Sequence, residues 1–190
     1  MYNIAILASG SGSNAENIIR YFQSHTDIRV LQVLSNKSDA YVLERSSKLN
    51  IPVRVFSKEE FNCPEFSNRL LKDGITHVVL AGFLWLVPSH LVAAFPNRIV
   101  NIHPALLPKY GGKGMYGAKV HEAVVTAGEK ETGITIHLVN EEYDKGLPLL
   151  QATCALEPGD TADSVAAKVH ELEYQHFPRT IENWIIKNQS

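Results

Sequence analysis

The sequence predicts an α/β fold: an open, twisted, mostly parallel sheet with helices on both faces, in a single domain. Three observations predict it. Short apolar runs alternate with longer segments of helical period, the signature of successive strand–helix units. The runs are nearly continuous in apolar residues, as in Ile4-Ala5-Ile6-Leu7 and His77-Val78-Val79-Leu80-Ala81, which suits strands covered on both sides. With 190 residues, 45% of them apolar, the chain has one domain's length and can bury roughly 70% of its unfolded surface, so a disordered chain is excluded.

Residues 3–8 read as the first strand and 15–24 as the first helix, joined by a glycine-rich turn. Strand 30–35 and helix 41–49 follow, then strand 53–55 and one helix over 58–73. Strand 77–80, helix 89–95 and strand 99–103 complete the alternation. Beyond His103 the character changes, because Pro104 stops the strand and the next stretch carries two prolines and four glycines before helical period returns at 118–126. So long a glycine-rich loop reads as part of a site rather than a linker. Strands 132–139 and 149–155 are joined by the acidic turn Asn140-Glu141-Glu142-Tyr143-Asp144-Lys145-Gly146. A final helix over 161–187 places Val165, Val169, Leu172 and Phe177 at helical spacing, with a break or kink expected at Pro178. There is no internal repeat, low-complexity tract or domain linker.

Eighteen Lys and Arg against 20 Asp and Glu leave a formal charge of −2. No chain-wide basic field exists to hold nucleic acid or an anionic membrane, whereas a small anion needs only a local nest of N–H groups. No run reaches the ~18 apolar residues of a membrane span, and the start lacks the pattern of a secretory leader. Cys63 and Cys154 form no CxxC pair, so reduced thiols and a cytoplasmic location are expected, with Cys154 in the core.

Ser9-Gly10-Ser11-Gly12-Ser13-Asn14-Ala15 lies where a strand meets a helix, and backbone N–H groups there can hold a phosphate; Gly12, Ser13 and Asn14 are the candidates. The loop fits GxGxxA, but the second strand ends in Ser35-Asn36-Lys37 without the acidic residue that takes a ribose hydroxyl, which argues against a dinucleotide and a hydride-transferring oxidoreductase. The plainer alternative is a tight turn with Ser13 or Asn14 capping the helix.

Asn101 and His103 stand two apart at the carboxyl edge of a predicted strand, where open α/β folds bind ligands. A carboxamide beside an imidazole can hold an oxyanion while the ring handles a proton, and Asp144 can orient that ring or a water. Thr135 and His137 share one face of the preceding strand as supporting partners. Each also has a structural alternative: an asparagine pinning a loop, satisfied histidines, a solvated acidic turn. His170-Glu171 with His176 is not a zinc pattern, and no metal is expected.

The string Asn101-Ile102-His103-Pro104-Ala105-Leu106-Leu107-Pro108-Lys109-Tyr110 closely resembles the active-site signature of the folate-dependent formyltransferases. The loop 10–14, Ser35-Asn36-Lys37, Ala81-Gly82-Phe83, Asp144-Lys145-Gly146 and Leu150-Gln151-Ala152 extend the resemblance in order along nearly the whole chain. It implies the Rossmann-like formyltransferase fold, with a phosphate-binding half over about residues 1–100 and a folate-binding and catalytic half over about 80–190. It further implies transfer of a formyl group from 10-formyltetrahydrofolate, as cosubstrate, to the amine of glycinamide ribonucleotide in purine biosynthesis. Asn101, His103 and Asp144 would be catalytic, with Asn101 and the His103 ring N–H on the developing oxyanion. Gly12, Ser13 and Asn14 would hold the phosphate, Glu173 the ribose, and His170 stands at a position often occupied by glutamine. Leu84, Trp85, Leu86 and Val87, together with Asn101 and Asn140, Glu141, Glu142, Tyr143 and Asp144, would line the folate pocket.

Three departures stand out: Trp85 where arginine is frequent, Pro64 near another expected arginine, and a longer glycine-rich loop at 111–117. A formyltetrahydrofolate deformylase, in which water replaces the amine, ordinarily carries an added N-terminal domain; a methionyl-tRNA formyltransferase needs a C-terminal domain and a basic surface. A non-catalytic folate or nucleotide binding module is the remaining alternative. The expected partners are small molecules, and the chain is expected as a monomer or homodimer.

Overall fold

The computed structural model describes residues 1–187 and divides into two compact units, residues 1–101 and the chain from 102 onward. The first unit contains β1 (Tyr2–Leu7), α1 (Ser13–Phe22), β2 (Ile28–Ser35), α2 (Tyr41–Lys48), β3 (Val53–Val55), α3 (Lys58–Phe61), α4 (Pro64–Lys72), β4 (His77–Leu80) and α5 (Ser89–Ala94). β5 (Ile99–His103) carries the chain into the second unit. Within the first unit the strand order is β3-β2-β1-β4-β5 and every pair is parallel, as the near-continuous apolar runs predict. Ile4 to Ala8 are completely buried, so β1 is the spine of this unit. With β2 on one side and β4 on the other, the strand order reverses around β1, and the loop leaving it lies where open α/β sheets bind ligands.

α1 buries Ala15, Ile18, Ile19 and Phe22, one stripe at i, i+3, i+4 and i+7. It starts two residues earlier than expected, and neither Ser13 nor Asn14 caps it. The cap is Gly12, in the left-handed region at φ 77°, with no side-chain bond. That conformation turns the chain sharply into the helix, and a Cβ on Gly12 would run into Val42 of α2. The expected helix over 58–73 is two helices. Ser57 and Glu60 form a capping box on α3, and Pro64, which lacks an N–H, opens α4 as its first residue.

The second unit contains α6 (Ala118–Thr126), β6 (Glu131–Leu138), β7 (Pro148–Ala155) and α7 (Ala162–Lys187). β6 and β7 are antiparallel and pair Thr135 with Gln151. α7 packs on α6, β6 and β7, burying Val165, Val169, Phe177, Ile181 and Ile185. Pro178 does not break it: the helix continues, because Phe177, Pro178, Thr180 and Ile181 are buried and that packing offsets one lost backbone hydrogen bond. Cys154 is half-buried rather than core, since β7 alternates between exposed and half-buried residues. No helix among the described residues is long and apolar enough to cross a membrane.

Candidate functional site

In the first unit, Ser9 ties three loops together. Its buried hydroxyl donates to Asn36 Oδ1 at 2.7 Å and accepts the Leu84 N–H at 3.2 Å, while its own N–H donates to the Gly82 carbonyl at 3.1 Å. The loops after β1, β2 and β4 thus meet at one residue, although they are far apart in sequence. Val42 N–H donates to the Gly10 carbonyl at 3.1 Å, which fixes the glycine loop against the start of α2. The first helical bond of α1 runs from Glu16 N–H to the Gly12 carbonyl at 2.9 Å, so the N–H groups of the turn before it have no carbonyl within the helix. Gly12, Ser13 and Asn14 therefore lie where an anion meets backbone donors and the positive end of a helix. Glu16, the acid of this turn, is engaged by Arg20 and Arg45, which hold its carboxyl below the usual range.

Leu84 to Val87 follow β4. Trp85 is half-buried in an aromatic cluster, its ring centre 5.8 Å from Phe61, 6.0 Å from Phe56 and 6.1 Å from Phe83. Leu86 is exposed and Val87 buried. Half-exposed Phe83, Leu84 and Trp85 offer apolar surface of the kind that lines ligand pockets. Pro64, at the start of α4, is exposed.

In the second unit Asp144 stands between two buried imidazoles. Its Oδ2 is 3.5 Å from His103 Nδ1 and its Oδ1 is 3.6 Å from His137 Nε2, and these rings are 4% and 2% exposed. Gly112 N–H donates to Oδ2 at 2.9 Å. The outer nitrogens are spoken for: His103 Nε2 lies 2.7 Å from the Tyr110 carbonyl and His137 Nδ1 lies 2.8 Å from the Leu138 carbonyl. A carbonyl oxygen only accepts, so a neutral His103 ring keeps its proton on Nε2 and turns the Nδ1 lone pair toward Asp144. His103 Nδ1 becomes a donor to Asp144 when the ring takes up a second proton.

Burial pushes the His103 imidazole below its ordinary pKa, against the opposing pull of the Asp144 charge and the Tyr110 carbonyl. For Asp144, burial acts to raise the pKa. The His137 hydrogen bond, the His103 ring and the Gly112 N–H outweigh it and hold the carboxyl below the usual carboxylate value. The pair is a neutral base beside a fixed negative charge, an arrangement that accepts a proton and stabilises the resulting imidazolium. The ring N–H expected to face an oxyanion is instead bonded to Tyr110 in this structure.

Local geometry holds these groups. Asp144 has φ 55°, and two residues on Gly146 is pressed so closely on Leu138 that a Cβ would run into the Leu138 carbonyl. Thr135 acts on the loop rather than on the rings: its hydroxyl donates to the Ala105 carbonyl at 2.7 Å and accepts the Leu107 N–H at 3.0 Å. Gln151 reinforces it with bonds of 2.9 Å to Thr135 Oγ1 and the Leu107 carbonyl. Tyr110 is fixed at its far end, where its hydroxyl donates to Glu129 at 2.9 Å. Ser9, Tyr110 and Gln151 escaped the sequence reading as individual residues, although each lies in or beside a resembling block.

Glu173 on α7 lies 3.1 Å from His170 Nδ1, and that contact raises the His170 pKa. Asn140 accepts the Glu142 N–H at 3.0 Å, Tyr143 is half-buried, and Glu141 and Glu142 are exposed. Asn101 is half-buried on β5 at the end of the first unit.

The family model described as formyl transferase matches residues 2–181. The chain belongs to that family. Among curated relatives, a chloroplastic phosphoribosylglycinamide formyltransferase of Arabidopsis thaliana is 40% identical over 185 residues, covering 94% of this chain and 63% of the relative. The phosphoribosylglycinamide formyltransferase of Haemophilus influenzae is 37% identical over 193 residues, covering 96% of this chain and 86% of the relative. The chain thus spans under two thirds of the Arabidopsis relative, and 59% of a similar one from Vigna unguiculata. Among solved structures, the phosphoribosylglycinamide formyltransferase of Bacillus halodurans aligns with TM-score 0.88 at 34% identity, covering 98% of this chain and 97% of that one. That of Streptococcus pneumoniae aligns with TM-score 0.85 at 34% identity over 97% and 99%. The α/β fold expected from the sequence is the fold of these family members.

Proposed function

We propose that the chain transfers the formyl group of 10-formyltetrahydrofolate to the primary amine of glycinamide ribonucleotide, a step of purine biosynthesis. The observation that carries this reading is Asp144 Oδ2 at 3.5 Å from Nδ1 of the buried His103, which stands in the Asn-Ile-His-Pro string of a formyl transferase family member. The substrate amine is the nucleophile, so no nucleophilic side chain is required.

As the amine nitrogen bonds to the formyl carbon, the carbonyl electron pair moves onto oxygen. The Asn101 carboxamide N–H is the proposed donor to that oxygen; removing one such donor typically costs ~2.7–4 kcal/mol of barrier. The new C–N bond leaves a surplus proton on the attacking nitrogen, while folate N10 must gain one as its bond to the formyl carbon breaks. His103, supported by Asp144, is the proposed carrier, a contribution of roughly 100- to 10,000-fold. His137 and Thr135 hold Asp144 and the loop in place. Gly12, Ser13 and Asn14 take the phosphate, Glu173 and His170 the ribose end, and residues 84–87 and 140–144 the folate. Two free cysteines, one of them exposed, suit a reducing cytoplasm.

Supplying folate with an isotopically labelled formyl group tests the reading. The label is expected in the ribonucleotide product; label released as formate, or retained on the folate, would contradict it.

A further inference from the structure

α6 carries one residue that packing does not explain. Its buried side chains are Val120, His121 and Val124. The valines are ordinary core residues, but His121, 7% exposed, has its Nδ1 buried with no hydrogen-bond partner. A leucine would fill this helix face without leaving a polar atom unsatisfied, and a native group left in that condition calls for a partner the protein alone does not supply. The position of the ring says where such a partner would be. His121 lies within electrostatic reach of both Glu173 and His103, and burial, the larger influence, keeps the ring neutral. α6 packs against α7, which bears Glu173.

We propose that His121 binds the ribonucleotide, its Nδ1 hydrogen-bonding the amide-containing chain that joins the ribose to the attacking amine. The inference rests on the formyl-transfer reading. In that reading Glu173 holds the ribose and His103 serves the amine, so a group coupled to both lies along the stretch between them. That stretch is an amide, which offers one donor and one acceptor, and a neutral imidazole matches either through its choice of tautomer. The contact restrains the amine relative to His103 and so affects turnover as well as binding.

The test compares wild type, His121→Leu and His121→Asn by calorimetric titration with glycinamide ribonucleotide, by steady-state kinetics and by thermal unfolding. Asparagine keeps a polar atom near the place of Nδ1; leucine does not. His121→Leu is expected to weaken ribonucleotide binding about tenfold and to lower kcat, with the KM for formyl folate within about twofold and Tm equal or higher. His121→Asn is expected to recover most of the loss. Equal ribonucleotide affinity in wild type and His121→Leu overturns the inference, as does a loss affecting both substrates together with a fall in Tm, or an asparagine variant no better than leucine. If wild type binds the ribonucleotide but does not formylate it, the functional reading fails while the titration still decides His121. If wild type does not bind it, both fail.

Discussion

Asp144 is held ionised by His137, His103 and the Gly112 N–H, so replacing it with asparagine keeps the shape and removes the charge. We expect Asp144→Asn and His103→Ala each to lower kcat by at least about 100-fold with unchanged circular dichroism and ribonucleotide affinity; unfolding in both would make the cluster structural. The sign of the pH dependence follows from the lowered His103 pKa. A ring that must be neutral to accept a proton stays competent as pH falls past 6.5 and fails only at the lower folded value. The acid limb of kcat/KM is therefore expected below the ordinary imidazole range, and a limb at or above it would contradict the assignment. His77 gives a matching stability prediction. Buried at the start of β4, it is pushed down to about 4 by desolvation and by Arg98. The unfolded chain binds this proton more readily, so stability is full above pH 6.5 and declines as pH falls to about 4, by up to ~3 kcal/mol. In urea titrations across that window, His77→Leu should flatten the decline; an unchanged slope would refute it. At this scale Asn101 and His103 were legible because the string around them is specific, and Asp144 because its acidic turn carries the Asp144-Lys145-Gly146 block. Tyr110 was not, since it acts through a backbone carbonyl, which no side-chain reading reveals. Nor was Ser9, whose partners Asn36 and Leu84 lie in loops distant in sequence.

The elements are placed by local rules that packing then overrides in identifiable spots. α1 is capped by a left-handed Gly12 rather than by the serine or asparagine that follows, because Val42 leaves no room for a side chain. Gly12→Val is accordingly expected to distort the loop, raising the KM for the ribonucleotide at least about tenfold with little change in the KM for folate; an unchanged ribonucleotide KM would remove the phosphate assignment. The division at Asn62-Cys63 was signalled by Pro64 and by the Ser57–Glu60 capping box, features that one continuous helical period hides. The continuity of α7 through Pro178 was not legible, since it depends on burial against α6, β6 and β7. The antiparallel pairing of β6 and β7 sets Thr135 opposite Gln151 and so fixes the loop that ends at Tyr110; only the register reveals it.

At the scale of the whole molecule, the alternation of apolar runs and helical segments was enough for the fold class, because each parallel strand–helix unit repeats one pattern. The boundary at residues 101 and 102 falls inside β5, between Asn101 and His103, and no composition change marks it. The family match over residues 2–181 takes in nearly the whole chain and runs through that boundary. In the proposed reaction the amine of a ribonucleotide, rather than water, receives the formyl group. Absorbance of folate released from 10-formyltetrahydrofolate, recorded with and without glycinamide ribonucleotide, tests it most directly. Release that depends on the ribonucleotide is expected; release at a comparable rate without it, or none with both substrates present, would overturn the proposed function.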